Sequence, residues 1–251
     1  ISYITIYREG EFMPAYLIVL LVFCVISSAV FTVLSFKKTL LNLYLKTFSS
    51  MFFTILGLFS LYALLSKSNQ LIADNRLIGG FLILLGLILC MIGDIILGLP
   101  RLSELKRDTM PVIIGGASWF FIGHVVYCST LAVIFGINLY ALIPLIPMCL
   151  IYTFANRKIG KLNYHGLTVG VLFYSLVESL TFAICIIALI NSFTVVALLL
   201  SIGFLLFYFS DMVLMHNYFG EKKRKLVSVL CHASYYPAQI LIAISIFFLA
   251  A

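Results

Sequence analysis

The sequence has few charged residues. Charged side chains make up 10% of its 251 residues and hydrophobic ones 63%, whereas soluble domains have about 25% charged and about 45–50% apolar residues. A chain of this composition cannot bury its apolar side chains inside a water-soluble globule. The composition therefore excludes a soluble enzyme or binding domain and predicts that lipid surrounds much of the chain.

Spacings that usually mark metal sites or disulfide frameworks are also missing. No CxxC, HxxxH or ExxH occurs, although those are common signatures of zinc sites and redox pairs. We interpret the cysteines as small side chains that pack inside apolar segments. They are Cys24, Cys90, Cys128, Cys149, Cys185 and Cys231.

Long apolar runs fill most of the chain. A bilayer core of about 30 Å is crossed by about 20 apolar helical residues, and the sequence has eight such runs with short connections. We predict an all-α polytopic membrane protein that forms one integral membrane domain over residues 1–251, and we expect its first span to be a retained helix rather than a signal peptide. The predicted spans are 14–36, 47–65, 77–99, 112–135, 138–155, 164–190, 194–219 and 226–250.

Basic residues are unevenly divided between alternate loops. The loops after spans one, three, five and seven contain 13 of the 16 Lys and Arg residues: Lys37, Lys38, Lys46, Arg101, Lys106, Arg107, Arg157, Lys158, Lys161, Lys222, Lys223, Arg224 and Lys225. The positive-inside rule predicts that these loops are cytoplasmic and that both termini are not. The net charge of +7 is explained by this topology signal, so we expect no nucleic-acid partner. The membrane would be the endoplasmic reticulum in a eukaryote and the inner membrane in a bacterium.

Three acidic residues fall inside the predicted spans: Asp94, Glu178 and Asp211. An ionisable group near the bilayer centre costs about 2.5–3.5 kcal/mol on insertion scales, so such groups are functional candidates. Asp94 lies about five residues, and Asp211 about eight, from the predicted cytoplasmic ends of their helices, which corresponds to similar depths. We therefore expect the two aspartates to face one cavity that opens toward the cytoplasm.

Other polar side chains accompany these acids on the neighbouring spans. At helical spacing, residues three and four apart share one face, and three such sets occur. Residues of this type also bridge helices by hydrogen bonds without any further function, and both interpretations remain open. The sets are His232, Tyr235, Tyr236 and Gln239 on span eight; Tyr174, Ser175, Glu178 and Thr181 on span six; and His124 and Tyr127 on span four.

A weak internal repeat relates the two aspartates. Alignment of LGLILCMIGD with IGFLLFYFSD superimposes Asp94 on Asp211 and Gly86 on Gly203. Four spans separate the two strings, so the chain would consist of two related four-helix halves arranged as parallel repeats.

Four strings in fixed order, MIGDIILGLP, FFIGHVVY, FLLFYFSDMVL and YYPAQILIAIS, resemble signature segments of the YhhN family, whose characterised members are lysoplasmalogenases. The resemblance extends over nearly the whole chain. It implies eight helices, hydrolysis of the vinyl ether of lysoplasmalogens and no obligatory cofactor. Lys46 followed by Thr47 also resembles the family pattern, which suggests that Lys46 meets the substrate phosphate. Glu178 departs from that pattern, which has an apolar residue at its position.

The implied chemistry suits two carboxyl groups. Protonation of the vinyl ether creates an oxocarbenium ion that water captures, so the reaction needs an acid and an anion. In a buried pair, one carboxyl can hold the proton while the other remains ionised. We assign Asp94 and Asp211 to these roles without deciding which is the acid. His124, His232, Tyr235 and Tyr236 would orient water or the leaving oxygen, and the substrate-binding candidates are Lys46, Tyr127, Tyr174, Glu178 and Gln239.

Two alternatives remain. A transporter or lipid-binding protein would use Asp94 and Asp211 as a proton relay. A zinc enzyme would bind its metal through Asp94, Asp211, His124 and His232. We expect a lysophospholipid substrate and membrane lipids as partners of the hydrolase, and a lipid or small molecule as the ligand of the transporter. The sequence does not predict an oligomeric state.

Overall fold

The computed structural model describes residues 12–34, 40–67, 75–99, 110–136, 138–221 and 225–249. Within these ranges the secondary structure is helical, and eight helices are long and apolar enough to cross a membrane. The prediction of an all-α polytopic membrane protein is confirmed. The helices are α1 (Ala15–Leu34), α2 (Leu40–Lys67), α3 (Asn75–Gly98), α4 (Met110–Phe135), α5 (Leu139–Gly160), α6 (Thr168–Asn191), α7 (Val195–Phe219) and α8 (Lys225–Phe248).

Two helices begin four or more residues away from their predicted first residues. Helix α2 begins at Leu40 rather than at residue 47, so Lys46 lies in its second turn instead of opening it. Helix α6 begins at Thr168 rather than at residue 164. The backbone just before it turns through positive φ angles, 47° at His165 and 85° at Gly166, and a helix does not continue through such residues.

Helix α5 is irregular along its length. It starts with a 3₁₀ turn at Leu139–Ala141, contains Pro147 within its α-helical part, and widens to a π-helical segment at Ile151–Ala155. A proline inside a helix removes one backbone donor, and a π segment adds a residue to one turn. Both features distinguish α5 from the regular helices that carry the acidic residues.

Glycines permit close packing of α3 with α4 and of α7 with α8. A Cβ added at Gly86 would collide with the ring of Tyr127 on α4, and one at Gly203 would lie 3.0 Å from Cγ1 of Ile242 on α8. Small residues let membrane helices approach closely in this way. The two glycines aligned by the internal repeat therefore have the same role, since each one receives a side chain of the following helix.

Helix α8 is the most deeply buried of the eight and α1 the least. The α8 core side chains pack against α2, α3 and α7. Polar residues of α8 are consequently directed at neighbouring helices rather than at lipid.

The eight apolar helices identify an integral membrane protein. Several basic residues used to predict its orientation lie outside the described residues: Lys37, Lys38, Arg101, Lys106, Arg107, Lys222, Lys223 and Arg224. The orientation and the particular membrane stay predictions.

Candidate active site

Asp94 on α3 is held by three neighbouring side chains. Its Oδ1 lies 2.9 Å from Nζ of Lys46, and its Oδ2 accepts hydrogen bonds from Ser50 Oγ at 2.6 Å and from the Tyr235 hydroxyl at 2.7 Å. Asp94 and Lys46 are both buried. A buried carboxylate bound by an ammonium group and two hydroxyls has a neutralising partner and filled acceptor sites.

A chain of hydrogen bonds extends from Tyr235 toward α4. Gln239, one turn further along α8, donates from Nε2 to the Tyr235 oxygen at 3.1 Å. Its Oε1 accepts a longer bond of 3.4 Å from the Tyr127 hydroxyl. These buried polar groups thus join α4, α8 and α3 in one network that ends at Asp94.

The polar set predicted on α8 is divided between two neighbours. Tyr235 and Gln239 belong to the Asp94 network, whereas His232 and Tyr236 pack against Phe31 of α1, with ring centroids 4.8 and 5.6 Å apart. Helical spacing put all four residues on one face, but that face is wide enough to contact both α3 and α1. His232 and Tyr236 thus also contact α1, and their part in the aspartate site stays a prediction.

Asp211 on α7 has a different environment. Its Oδ2 accepts a hydrogen bond from the hydroxyl of Tyr174 on α6. Within the described part of the chain Asp211 forms no ion pair, although it is buried. Among the described residues Asp211 therefore has no cationic partner comparable to the Lys46 that neutralises Asp94.

His124 and Glu178 lie beside Asp211. One nitrogen of His124, one carboxyl oxygen of Glu178 and one carboxyl oxygen of Asp211 all lie within 4.8 Å of one another. His124 is 1% and Glu178 2% exposed, and neither ring nitrogen nor either Glu178 oxygen has a hydrogen-bond partner among the described residues. The Tyr152 hydroxyl lies close to Glu178 but not in ordinary hydrogen-bonding geometry. Buried polar groups without partners are rare and costly, so they mark a functional candidate.

An aromatic layer separates the two aspartate centres. The Phe207 ring lies 4.5 Å from the His124 ring on one side and 5.3 Å from the Tyr235 ring on the other. Phe120 contacts both Phe207 and Tyr235. The two centres are thus neighbours that are divided by apolar rings.

A cavity of about 290 Å³ ends at Asp211 and Tyr174. Its other walls are almost entirely apolar and come from the ends of α3, α4, α6 and α7 that adjoin the predicted cytoplasmic loops. Ile114, Gly170 and Phe173 line it and are also exposed on the outside of the bundle. The cavity therefore reaches the lipid-facing surface between α4 and α6.

The structure differs from the expectation that both aspartates face one cavity. Asp211 lines the cavity, whereas Asp94 does not, although Leu97, one turn away on α3, does. The Asp94 carboxylate is instead bound by Lys46 on α2 and by Tyr235 on α8. Matched depth alone did not indicate the direction in which each carboxylate points.

Sequence reasoning missed Ser50 and Phe207. Ser50 lies one turn after Lys46, and that i, i+4 spacing was a detectable signal for a shared polar face on α2. Phe207 gave no such signal because one apolar residue among many on α7 does not reveal that it separates two polar centres.

The metal alternative also involves different residues from those expected. His124, Glu178 and Asp211 present three ligand-type atoms that could hold a metal ion. Asp94 is instead bound to Lys46, and His232 packs on Phe31. Nitrogen and carboxylate ligands of this kind suit zinc and similar divalent ions.

A family model described as the YhhN family matches residues 41–246 of the chain. That segment contains both aspartate centres and all the residues that line the cavity. No curated protein and no solved structure matches the chain.

Proposed function

Because the chain belongs to the YhhN family, we propose that it hydrolyses the vinyl ether bond of lysoplasmalogens. The substrates would be 1-alkenyl-glycerophosphoethanolamine or its choline counterpart. The products would be a fatty aldehyde and a glycerophospho-alcohol, and the protein would be a lysoplasmalogenase.

The cavity that ends at Asp211 is the observation that carries this proposal. At about 290 Å³ it lies just below the usual range for ligand pockets, which is about 300–1,000 Å³. An apolar cavity of this size suits a single hydrocarbon chain, and a lysoplasmalogen has only one. Its exposed edge between α4 and α6 would admit that chain directly from the bilayer.

In this arrangement Asp211 is the proton donor. The alkenyl chain would occupy the apolar cavity, and its vinyl ether would lie at the closed end beside the carboxyl group. Proton transfer from that carboxyl to the β-carbon gives the oxocarbenium ion. The Tyr174 hydroxyl, which is bonded to Oδ2, would fix the orientation of the carboxyl.

Asp94 is less suited to donate a proton because the Lys46 ammonium is 2.9 Å away. The Ser50 and Tyr235 hydroxyls also bind this carboxyl group, and it does not line the cavity. We assign Asp94, Lys46 and Tyr235 to holding α2, α3 and α8 together beside the reacting groups. To bind the substrate phosphate, Lys46 would have to break its ion pair with Asp94 or contact both groups at once.

The cavity lies at the ends of α3, α4, α6 and α7 that adjoin the loops predicted to be cytoplasmic. With the predicted orientation, substrate would enter from the cytoplasmic leaflet and its phosphate would meet a positively charged face. We propose the endoplasmic reticulum membrane for a eukaryotic source and the inner membrane for a bacterial one, with both termini non-cytoplasmic.

The test is aldehyde release by the detergent-purified protein, without any membrane gradient, from an alkenyl lysophospholipid. The matched control substrate is the 1-alkyl ether, which lacks the double bond and cannot be protonated to an oxocarbenium ion. In D₂O the aldehyde should carry one deuterium on the carbon next to its carbonyl. Folded protein that releases no aldehyde would contradict the function, and aldehyde without that deuterium would contradict protonation at carbon.

A further inference from the structure

Glu178 is an unusual residue for the interior of a membrane protein. It lies in the middle of α6 and is 2% exposed, and both its oxygens lack hydrogen-bond partners among the described residues. The resemblance assigns it no role, since the family pattern is apolar at this position. Burial of a carboxyl group is costly unless something binds it, so its surroundings should show what it binds.

Besides the Tyr152 hydroxyl, the polar neighbours of Glu178 are His124 and Asp211, at separations that one water molecule can bridge. The closest ligand-type atoms of Glu178, His124 and Asp211 lie within 4.8 Å of one another, and no direct hydrogen bond joins them. Two hydrogen bonds of about 2.8 Å meeting at a water oxygen cover such a separation. A neutral imidazole has one donor and one acceptor nitrogen, so His124 can hold the same water from a third side.

Charge also distinguishes Glu178 from Asp94. The negative charge of Asp94 is offset by Lys46 at 2.9 Å, and the rings of Phe120 and Phe207 separate it from His124. Within the ranges that the structure describes, neither Glu178 nor Asp211 forms an ion pair. Of these three carboxyl groups Asp211 lines the cavity, and Glu178 lies behind it, with an oxygen within 4.8 Å of an Asp211 oxygen. The negative charge that can offset an oxocarbenium ion beside Asp211 therefore belongs to the Glu178 and Asp211 pair.

We propose that Glu178, rather than Asp94, is the second carboxyl group of the reaction. With His124 it holds the water that captures the oxocarbenium ion, and it accepts a proton from that water. The inference rests on the proposed vinyl ether hydrolysis and adds a catalytic residue to it. A preorganised anion beside the developing cation also lowers the energy of the first transition state.

The proton transfers balance over one turnover. Asp211 gives its proton to the β-carbon, and water then bonds to the adjacent carbon while its proton passes to Glu178, which leaves a hemiacetal. Protonated Glu178 next donates to the ether oxygen as the carbon–oxygen bond breaks, and the hemiacetal hydroxyl returns its proton to Asp211. Aldehyde and alcohol leave, and both carboxyl groups regain their starting states.

The test compares Glu178→Gln and Glu178→Ala with the wild type in the aldehyde assay. Glutamine keeps the volume but cannot accept the proton, so kcat should fall about 100-fold with KM within a few-fold. Added formate should restore part of the Glu178→Ala rate by supplying a carboxylate in the space left by the side chain. The matched control is Ser179→Ala, which removes a buried side-chain oxygen at the adjacent position and should leave kcat unchanged.

Each outcome bears on one proposal. Wild-type protein without vinyl ether hydrolysis would refute the proposed function. Two results with an active wild type would refute the role of Glu178 but leave the proposed function standing. One is a near-wild-type kcat in Glu178→Gln. The other is a folded, monodisperse Glu178→Ala protein whose rate formate does not restore. One equivalent of a transition metal in active wild type that is lost in Glu178→Gln would make Glu178 a ligand and also overturn this inference.

Discussion

The two intramembrane aspartates have the same chemistry and similar depths but contrasting neighbours. Asp94 is bound by Lys46, Ser50 and Tyr235, so its charge and its acceptor sites are occupied. Asp211 has one hydroxyl partner in the described structure and lines a cavity. A buried acid becomes available for chemistry when its partners leave it unneutralised beside a space that a substrate can enter.

The largest effect expected from this contrast is on turnover. Asp211→Asn should reduce kcat by at least about 10³-fold, because asparagine can hydrogen-bond to Tyr174 but cannot donate a proton to carbon. Its unfolding temperature should stay near that of the wild type. Aldehyde release and thermal unfolding measured on the same preparation check both statements. A folded Asp211→Asn protein with normal turnover would show that Asp211 is not the proton donor.

The next effect is on stability at the Asp94 centre. Lys46→Met alone leaves a buried carboxylate unpaired, and Asp94→Leu alone leaves a buried ammonium, each of which should cost about 3–5 kcal/mol. The double variant removes both charges and should recover most of that loss. A double-mutant cycle of unfolding free energies measures the coupling, and strictly additive losses would show that the ion pair does not stabilise the fold.

A smaller effect should follow from narrowing the cavity. A Cβ at Gly170 has no heavy atom within 4 Å, so Gly170→Trp should fold normally while its ring occupies the space meant for the alkenyl chain. We expect KM to rise about tenfold with a smaller change in kcat, because the ring does not reach the carboxyl groups. Gly170→Ala is the matched control and should behave as wild type. If the tryptophan variant also keeps the wild-type KM, the substrate chain does not use this cavity.

The sequence was sufficient to predict the eight helices, because a helix that crosses a bilayer needs a long apolar run and each of the eight is such a run. It also identified the buried acids, since Asp94, Glu178 and Asp211 stand out within those runs. It could not show that Lys46 neutralises Asp94, because α2 extends seven residues beyond its apolar part and carries Lys46 into the bundle. Pairings such as Glu178 with His124 depend on how helices rotate about their axes, which periodicity alone does not specify.

The smallest effects should come from the tyrosines that bind the two aspartates. Tyr235→Phe removes one of three donors to Asp94, and Lys46 and Ser50 remain, so turnover should change less than about threefold while stability falls by about 1–2 kcal/mol. Tyr174→Phe removes the hydroxyl that orients the proton donor, so kcat should fall about tenfold with little loss of stability. Kinetics and unfolding of the two variants, measured side by side, test whether hydroxyls of the same kind act on stability at one centre and on catalysis at the other. A larger kcat loss in Tyr235→Phe than in Tyr174→Phe would reverse the assignment and make Asp94 the reacting carboxyl, because a hydroxyl affects turnover most where its partner transfers the proton.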